Sequence, residues 1–263
     1  MSVSVSPLSL STIVTTLRAA GCVFAEDEAA LLLSTAGTPA VLAAMVERRV
    51  AGLPLEHVLG WAEFCGLRVH VGPGVFVPRR RTEFLVQQAV GLTPTPSVVV
   101  DLCCGSGALG AALAAALDGV ELYASDVEPA AVRCARRNVG DLGQVYEGDL
   151  FAPLPDSLRG RVDVLLANVP YVPTYDVELL PAEARIHEPR VALDGGGDGL
   201  DVMRRVAAEA PRWLAPGGSL LVETSERQAS RAREAVGSGG LIPRVVTSDE
   251  LYATVVIGTR PAV

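Results

Sequence analysis

Asn168-Val169-Pro170-Tyr171 brings together groups suited to gripping a flat NH2 group. The nitrogen of a planar amide or aromatic amine is a poor nucleophile because its lone pair is delocalised, so a catalyst must fix the NH2 and draw its protons into acceptors. The Asn168 side-chain oxygen and the Val169 main-chain carbonyl can take the two N–H protons, while the Tyr171 ring stacks on the flat group and Pro170 stiffens the turn. Such a grip would aim the nitrogen at an activated methyl for in-line displacement, with most of the gain from positioning and electrostatics and no covalent enzyme intermediate. The bland alternative is an Asn-Pro turn with a packed tyrosine.

A second constellation would hold the methyl donor. Val98 to Leu102 reads as a buried strand running into Cys103-Cys104-Gly105-Ser106-Gly107-Ala108-Leu109-Gly110, a glycine turn that opens a helix. Gly105, Gly107 and Gly110 satisfy the dinucleotide-type spacing, and Asp126 follows 19 residues after Gly107, where an acid would hold ribose hydroxyls. Asp101, immediately before the glycines, argues against a dinucleotide, because a carboxylate there would repel a pyrophosphate and welcome a cation. S-adenosylmethionine carries an ammonium and a sulfonium and no phosphate. Asp149 adds an acceptor suited to an adenine amino group.

These groups need elements to carry them. In the first 50 residues, Leu10, Ile13, Val14 and Leu17 recur at helical intervals up to Gly21. Ala29, Leu32, Leu33 and Ala36 repeat the pattern after the acidic turn Glu26-Asp27-Glu28. Thr38 and Pro39 open a third helix with the stripe Val41, Leu42, Met45 and Val46. Next, Leu67, Val69 and Val71 alternate with polar residues, Gly72-Pro73-Gly74 turns, and Val75-Phe76-Val77 runs back, which predicts a hairpin. Strand-like runs then alternate with helical patterns at Val98–Leu102, Glu121–Asp126, Gln144–Asp149, Val162–Asn168 and Ser219–Thr224, and Pro243–Ser248 and Ala253–Thr259 form a closing antiparallel hairpin. The expected fold is α/β, a Rossmann-like, seven-stranded, mostly parallel sheet ending in that hairpin and preceded by a small helical domain. The expected division is a helical substrate-recognition region over 1–60, a hairpin connector over 61–83 and a cofactor-binding methyltransferase domain over 84–263.

Composition closes off other chemistries. The 22 basic residues among 263 are all Arg, which excludes Schiff-base and Walker-type lysine chemistry. A net charge of −8 argues against a non-specific duplex-binding surface. Five cysteines with no C-x-x-C pair and three scattered histidines predict no metal site. The first 21 residues lack a basic leader and no apolar run approaches a membrane span, so a reducing cytoplasm is expected and no membrane partner.

Nearly the whole chain resembles the protein-(glutamine-N5) methyltransferases that modify peptide release factors. The resemblance is carried by Glu63-Phe64-Cys65-Gly66, Val77-Pro78-Arg79-Arg80-Arg81-Thr82-Glu83, Asp101 to Gly107, Asp126, Gly148 to Phe151, Asn168 to Tyr171, Glu188 to Leu193 and Gly195 to Leu200. It implies S-adenosylmethionine as cofactor, held by Asp101, Cys103, Gly105, Gly107, Asp126, Asp149, Leu150 and Asn168. It further implies Asn168, Pro170 and Tyr171 as catalytic residues, Asn168 to Tyr171 as the substrate grip, and a release factor as the protein substrate. Three departures stand out: Val169 replaces the family's first proline, Cys103 its first loop glycine, and Arg80-Arg81 a proline and an acid. The arginine pair suggests a more acidic substrate. A nucleobase amino group is the alternative substrate, since Asn-Pro-Pro-Tyr also serves adenine methyltransferases, and a cofactor-binding protein without catalysis is the other alternative. The oligomeric state is open.

Overall fold

A computed structural model describes residues 9–92 and 97–262. The leader reading falls partly on residues 1–8, outside the described residues. The helical front comprises α1 (Leu10–Ala19), α2 (Ala25–Thr35), α3 (Pro39–Val50) and a short α4 (Leu55–Leu59). Ser9 caps α1 by accepting from Thr12 N, and Thr38 caps α3 by accepting from Val41 N. Ile13, Leu17, Ala29, Leu32, Leu42, Met45, Val46 and Val58 meet in a core of their own. Helices of this length gain stability from such packing rather than from propensity.

The connector differs from expectation. The strand β2 (Leu67–His70) pairs with the segment before it, β1 (Trp61–Phe64), with Trp61 opposite His70 and Phe64 opposite Leu67. Cys65 and Gly66 both have positive φ, 49° and 74°, the backbone that a two-residue hairpin turn demands. Val75 to Val77 does not return along β2, because its polar groups are claimed elsewhere. His57 Nε2 donates to Val75 O at 2.9 Å, and Val77 N donates to Glu188 Oε1 at 3.1 Å.

The rest is built as expected, as one seven-stranded sheet. In chain order its elements are α5 (Glu83–Val90), β3 (Ser97–Leu102), α6 (Ala108–Ala116), β4 (Val120–Asp126), α7 (Pro129–Val139), β5 (Gly143–Glu147), β6 (Val162–Ala167), α8 (Ala182–His187), α9 (Asp201–Trp213), β7 (Leu214–Thr224), α10 (Ala229–Ser238), β8 (Ile242–Ser248) and β9 (Ala253–Thr259). The strand order is β5-β4-β3-β6-β7-β9-β8, with β9 antiparallel to both neighbours and the other pairings parallel. Both faces of β3 are covered, and its side chains alternate accordingly: Val98, Val100 and Leu102 join the core under α9 and α10, Val99 the core under α5 and α6. Leu102 pairs with Ser125 on one side and Ala167 on the other, so the chain leaves β3, β4 and β6 at one edge. No described helix is long and apolar enough to cross a membrane.

One buried arginine ties the helical front to the sheet domain. Arg49 donates to both oxygens of Glu28, at 2.6 and 3.1 Å, and to Glu183 of α8 at 2.6 Å. Because Glu28 is buried as deeply as Arg49, Arg49→Met should leave an uncompensated charge and cost about 3–5 kcal/mol in urea unfolding. Adding Glu28→Gln should recover part of that loss; no recovery would show that packing rather than charge holds the helices.

Candidate active site

A cavity of about 440 Å³ opens along the carboxyl edge of the sheet. The glycine loop forms one wall. Gly105, at φ 55°, would carry a Cβ into open space, so its backbone lies bare to a ligand. Gly107 faces the other way: a Cβ there would sit 3.1 Å from Ala135 Cβ and from Val139 Cγ2, and its absence lets α7 close on the loop. Cys103 adopts φ 52° without being glycine, and its side chain lines the cavity. Its thiol is pushed up by burial first and then by Asp126 and Asp101, which keeps it neutral.

Asp126 organises this wall. Its Oδ2 accepts from Gly105 N at 2.8 Å and its Oδ1 from Glu128 N at 2.9 Å, so one carboxylate ties the loop to the end of β4. Asp101 stands elsewhere than expected. It is 1% exposed and lies behind the loop, where Oδ2 accepts from Gly110 N at 2.9 Å and Oδ1 has no partner among the described residues. Of the residues expected to hold the cofactor, Cys103, Gly105, Asp126, Asp149, Leu150 and Asn168 line the cavity, whereas Asp101 and Gly107 shape it from behind. Asp149 is not a free acid either, since Arg205 pairs with it.

The cavity's three arginines are all neutralised. Arg79 donates to both oxygens of the buried Glu188 at 2.6 Å, Arg81 pairs with Glu223, and Arg205 with Asp149. With Asp126 and Glu128 also on the wall, the surroundings suit a cationic ligand without phosphate. The loop cradle at Gly105 and this set of carboxylate acceptors therefore fit S-adenosylmethionine and not a dinucleotide. The arginine pair corrects a second expectation: Arg80 is exposed and off the cavity wall, and Arg81 is committed to a carboxylate, so together they offer no free acid-binding pair.

Opposite the loop, Asn168 follows β6 and turns the chain into Val169-Pro170-Tyr171. Neither the Asn168 side chain nor the Val169 carbonyl has a hydrogen-bond partner among the described residues, while the Val169 side chain is 1% exposed and packs into the core. The turn's backbone is buttressed by the later glycine run. Val172 N donates to Leu193 O at 3.0 Å and Gly195 N to Val172 O at 2.8 Å. A Cβ on Gly195 would lie 2.6 Å from Pro170 O, and one on Gly199, at φ 81°, 2.3 Å from Tyr171 O. Gln228 Nε2 closes the arrangement by donating to Tyr171 O at 2.9 Å and to Asp198 O at 3.0 Å. The Tyr171 hydroxyl meets Glu223 and Arg81, and burial together with Glu223 pushes its phenol up, so it stays protonated. Gln228 and Glu223 were absent from the expected site. For Glu223 a signal existed, an acid at the end of an apolar strand; for Gln228 none did.

Residues 66–200 match the methyltransferase small domain family. Over 188 residues the chain is 43% identical to the release factor glutamine methyltransferase of Geobacter sulfurreducens, a match covering 70% of this chain and 65% of that relative. It is 40% identical to the release factor glutamine methyltransferase of Mycolicibacterium smegmatis over 232 residues, 86% of this chain and 82% of the relative. Among solved structures, a methyltransferase from Pyrococcus furiosus shares the fold, with a TM-score of 0.57, 17% identity, and 74% of this chain and 90% of that one covered.

Two carboxylates give separate tests. Asp126→Ala should weaken S-adenosylmethionine binding by about 1.5–3 kcal/mol in calorimetry, the scale of hydrogen bonds to a charged group; unchanged affinity would remove Asp126 from the site. Burial pushes the Asp101 carboxyl from 3.8 to about 7, so between those values the folded chain keeps a proton that the unfolded chain has released. The stability owed to this group is full below about 4 and is lost as pH rises through 7. Asp101→Asn should therefore gain on the parent protein in unfolding free energy as pH is raised from 4 to 7, and parallel profiles would contradict the shift.

Proposed function

The chain belongs to the release factor glutamine methyltransferase family, and on that premise we propose that Asn168 and the Val169 carbonyl hold the side-chain amide of a glutamine in a protein for N-methylation. The enzyme is an S-adenosylmethionine-dependent methyltransferase. The observation that carries the residue assignment is the pair of unengaged acceptors, Asn168 Oδ1 and Val169 O, at the cavity beside a tyrosine whose hydroxyl is fixed.

When bound, S-adenosylmethionine supplies a methyl on a positively charged sulfur. Cys103 to Ser106, Asp126, Asp149 and Leu150 would hold it. Asn168 Oδ1 and Val169 O take one N–H each of the substrate amide, and the Tyr171 ring lies against its plane. So held by Asn168 and Val169, the nitrogen lone pair would face the methyl group that the bound cofactor would supply, with the sulfur positioned to keep the electrons of the bond it gives up. One N–H proton leaves on the side of its acceptor and passes to solvent. Both acceptors draw positive charge out of the nitrogen as it develops, which is where preorganised polar groups act most strongly. Tyr171 is not the base, because its hydroxyl already donates to Glu223.

We place the substrate protein, a peptide release factor, against the helical front α1–α4, whose Arg49 reaches Glu183 on the cavity wall. A nucleobase is the weaker reading, since every cavity arginine is matched to a carboxylate and no lysine exists to meet a phosphate. Five free thiols suit the reducing cytoplasm in which release factors act.

Incubation with labelled S-adenosylmethionine and, separately, a release factor and total RNA tests this directly: label should enter the protein at a glutamine. Asn168→Ala should lower turnover by roughly 10² to 10³, with cofactor affinity weakened less. Val169→Pro should retain or raise turnover, because residue 169 contributes a main-chain carbonyl that proline also has. Near-normal turnover by Asn168→Ala would sink the proposed grip.

A further inference from the structure

The Tyr171 side chain is held by a closed triangle of hydrogen bonds whose corners come from three distant parts of the chain. Its hydroxyl donates to Glu223 Oε1 at 2.9 Å and accepts from Arg81 Nη2 at 2.7 Å, while Arg81 Nε donates to the same Glu223 oxygen at 3.1 Å. Arg81 lies in the segment leading into α5, Tyr171 in the turn after β6, and Glu223 near the carboxyl end of β7. The Glu223 side chain is 2% exposed and its second oxygen has no partner among the described residues, so Arg81 alone balances its charge. Arg81, in turn, is half exposed and faces the cavity. Glu223 does not line the cavity, and its side chain is almost wholly buried.

We propose that Arg81 and Glu223 are positioning residues for methyl transfer, acting by fixing the plane of the Tyr171 ring against the substrate amide. The proposal rests on the amide reading above. A tyrosine ring swings on two torsions, and at Tyr171 the backbone end is already immobilised by Gln228 and the glycine run. Fixing the hydroxyl at the far end fixes the first torsion, and, because the oxygen lies on the axis of the second, the plane of the ring is set by the directions of the two hydrogen bonds at the hydroxyl, which favour the plane of the phenol. In-line displacement is sensitive to such placement: an error of about 1 Å can cost up to 10²-fold in rate. Neither Arg81 nor Glu223 exchanges a proton with the substrate in this role, and each acts only through the phenol.

A double-mutant cycle separates positioning from plain stabilisation. Arg81→Lys keeps a positive charge opposite Glu223 but replaces the planar fork, which reaches carboxylate and phenol from two separate nitrogens, with a shorter point donor, and Tyr171→Phe keeps the ring while losing its anchor. Each should lower kcat on a release factor about tenfold, with S-adenosylmethionine affinity unchanged, and the double variant should be no slower than Tyr171→Phe alone. Multiplying losses in the double variant would overturn the proposal, as would an Arg81→Lys protein with a lower Tm and unchanged kcat. A second readout needs no turnover. In protein labelled with 3-fluorotyrosine, the Tyr171 fluorine signal, assigned by its loss in Tyr171→Phe, should move or broaden in both Arg81→Lys and Glu223→Gln. An unchanged signal would overturn the clamp. Failure of the unaltered protein to methylate any protein amide would sink the amide reading, and the fluorine spectra would still decide whether the triangle holds the ring.

Discussion

Parallel pairing sets Leu102 level with Ser125 and with Ala167, and this shared register brings the glycine loop, Asp126 and Asn168 to one edge of the sheet. A slip of one residue in β3 would turn Val99 toward α9 and Val100 toward α5, exchanging the contents of two cores. The register is therefore enforced by burial on both faces, and the cavity inherits its geometry from that enforcement. Ligands of open parallel sheets collect at the carboxyl edge for the same reason: strands end there together and helices begin.

What the register brings near, close backbone contact then makes stiff. The turn at Asn168 to Tyr171 is pressed from behind by Gly195 and Gly199, whose missing side chains let carbonyl oxygens approach to distances no Cβ would tolerate. Gln228 bridges the two strands of this contact with one amide. Pro170 supplies only part of the rigidity of the motif, and that is why a valine at 169 is structurally acceptable: its side chain finds a place in the core and the turn is held from outside.

Buried charge forms the other half of the site's architecture. Glu28, Glu188 and Glu223 are each deeply buried and each meets one arginine, Arg49, Arg79 or Arg81. Such pairs are costly to desolvate and stabilise little by themselves, but they are very sensitive to loss of one partner. Their effect here is to specify geometry. One fixes the helical front, one the segment that follows the hairpin, and one the tyrosine. An all-arginine chain suits this use, since a guanidinium can satisfy two acceptors at once in a fixed fork.

The helical front, the glycine turn, the seven strands and the Asn168 motif were legible in the sequence because each is written in neighbouring residues: apolar spacing, caps, glycines, and acceptors on adjacent residues. The hairpin partner was not. Val69 and Val71 alternate as well with Val75 to Val77 as with Trp61 to Phe64, and what decides between them is Glu188, 111 residues further on, which takes the Val77 N–H. The roles of the acids were equally beyond local reading. Asp101 lies level with Ala124, so it shares a sheet face with Asp126, yet it accepts from Gly110 behind the loop while Asp126, two residues further toward the strand end, accepts from Gly105 at the cavity; only the packing of loop and helix over that face separates the two. Arg81 read as half of a pair suited to an acidic substrate until β7 placed Glu223 beside it, 142 residues away. Sequence determined the elements and the chemistry they carry; tertiary structure decided which charges meet, because desolvation, which forces buried carboxylates to find partners, arises only once the chain has closed over them.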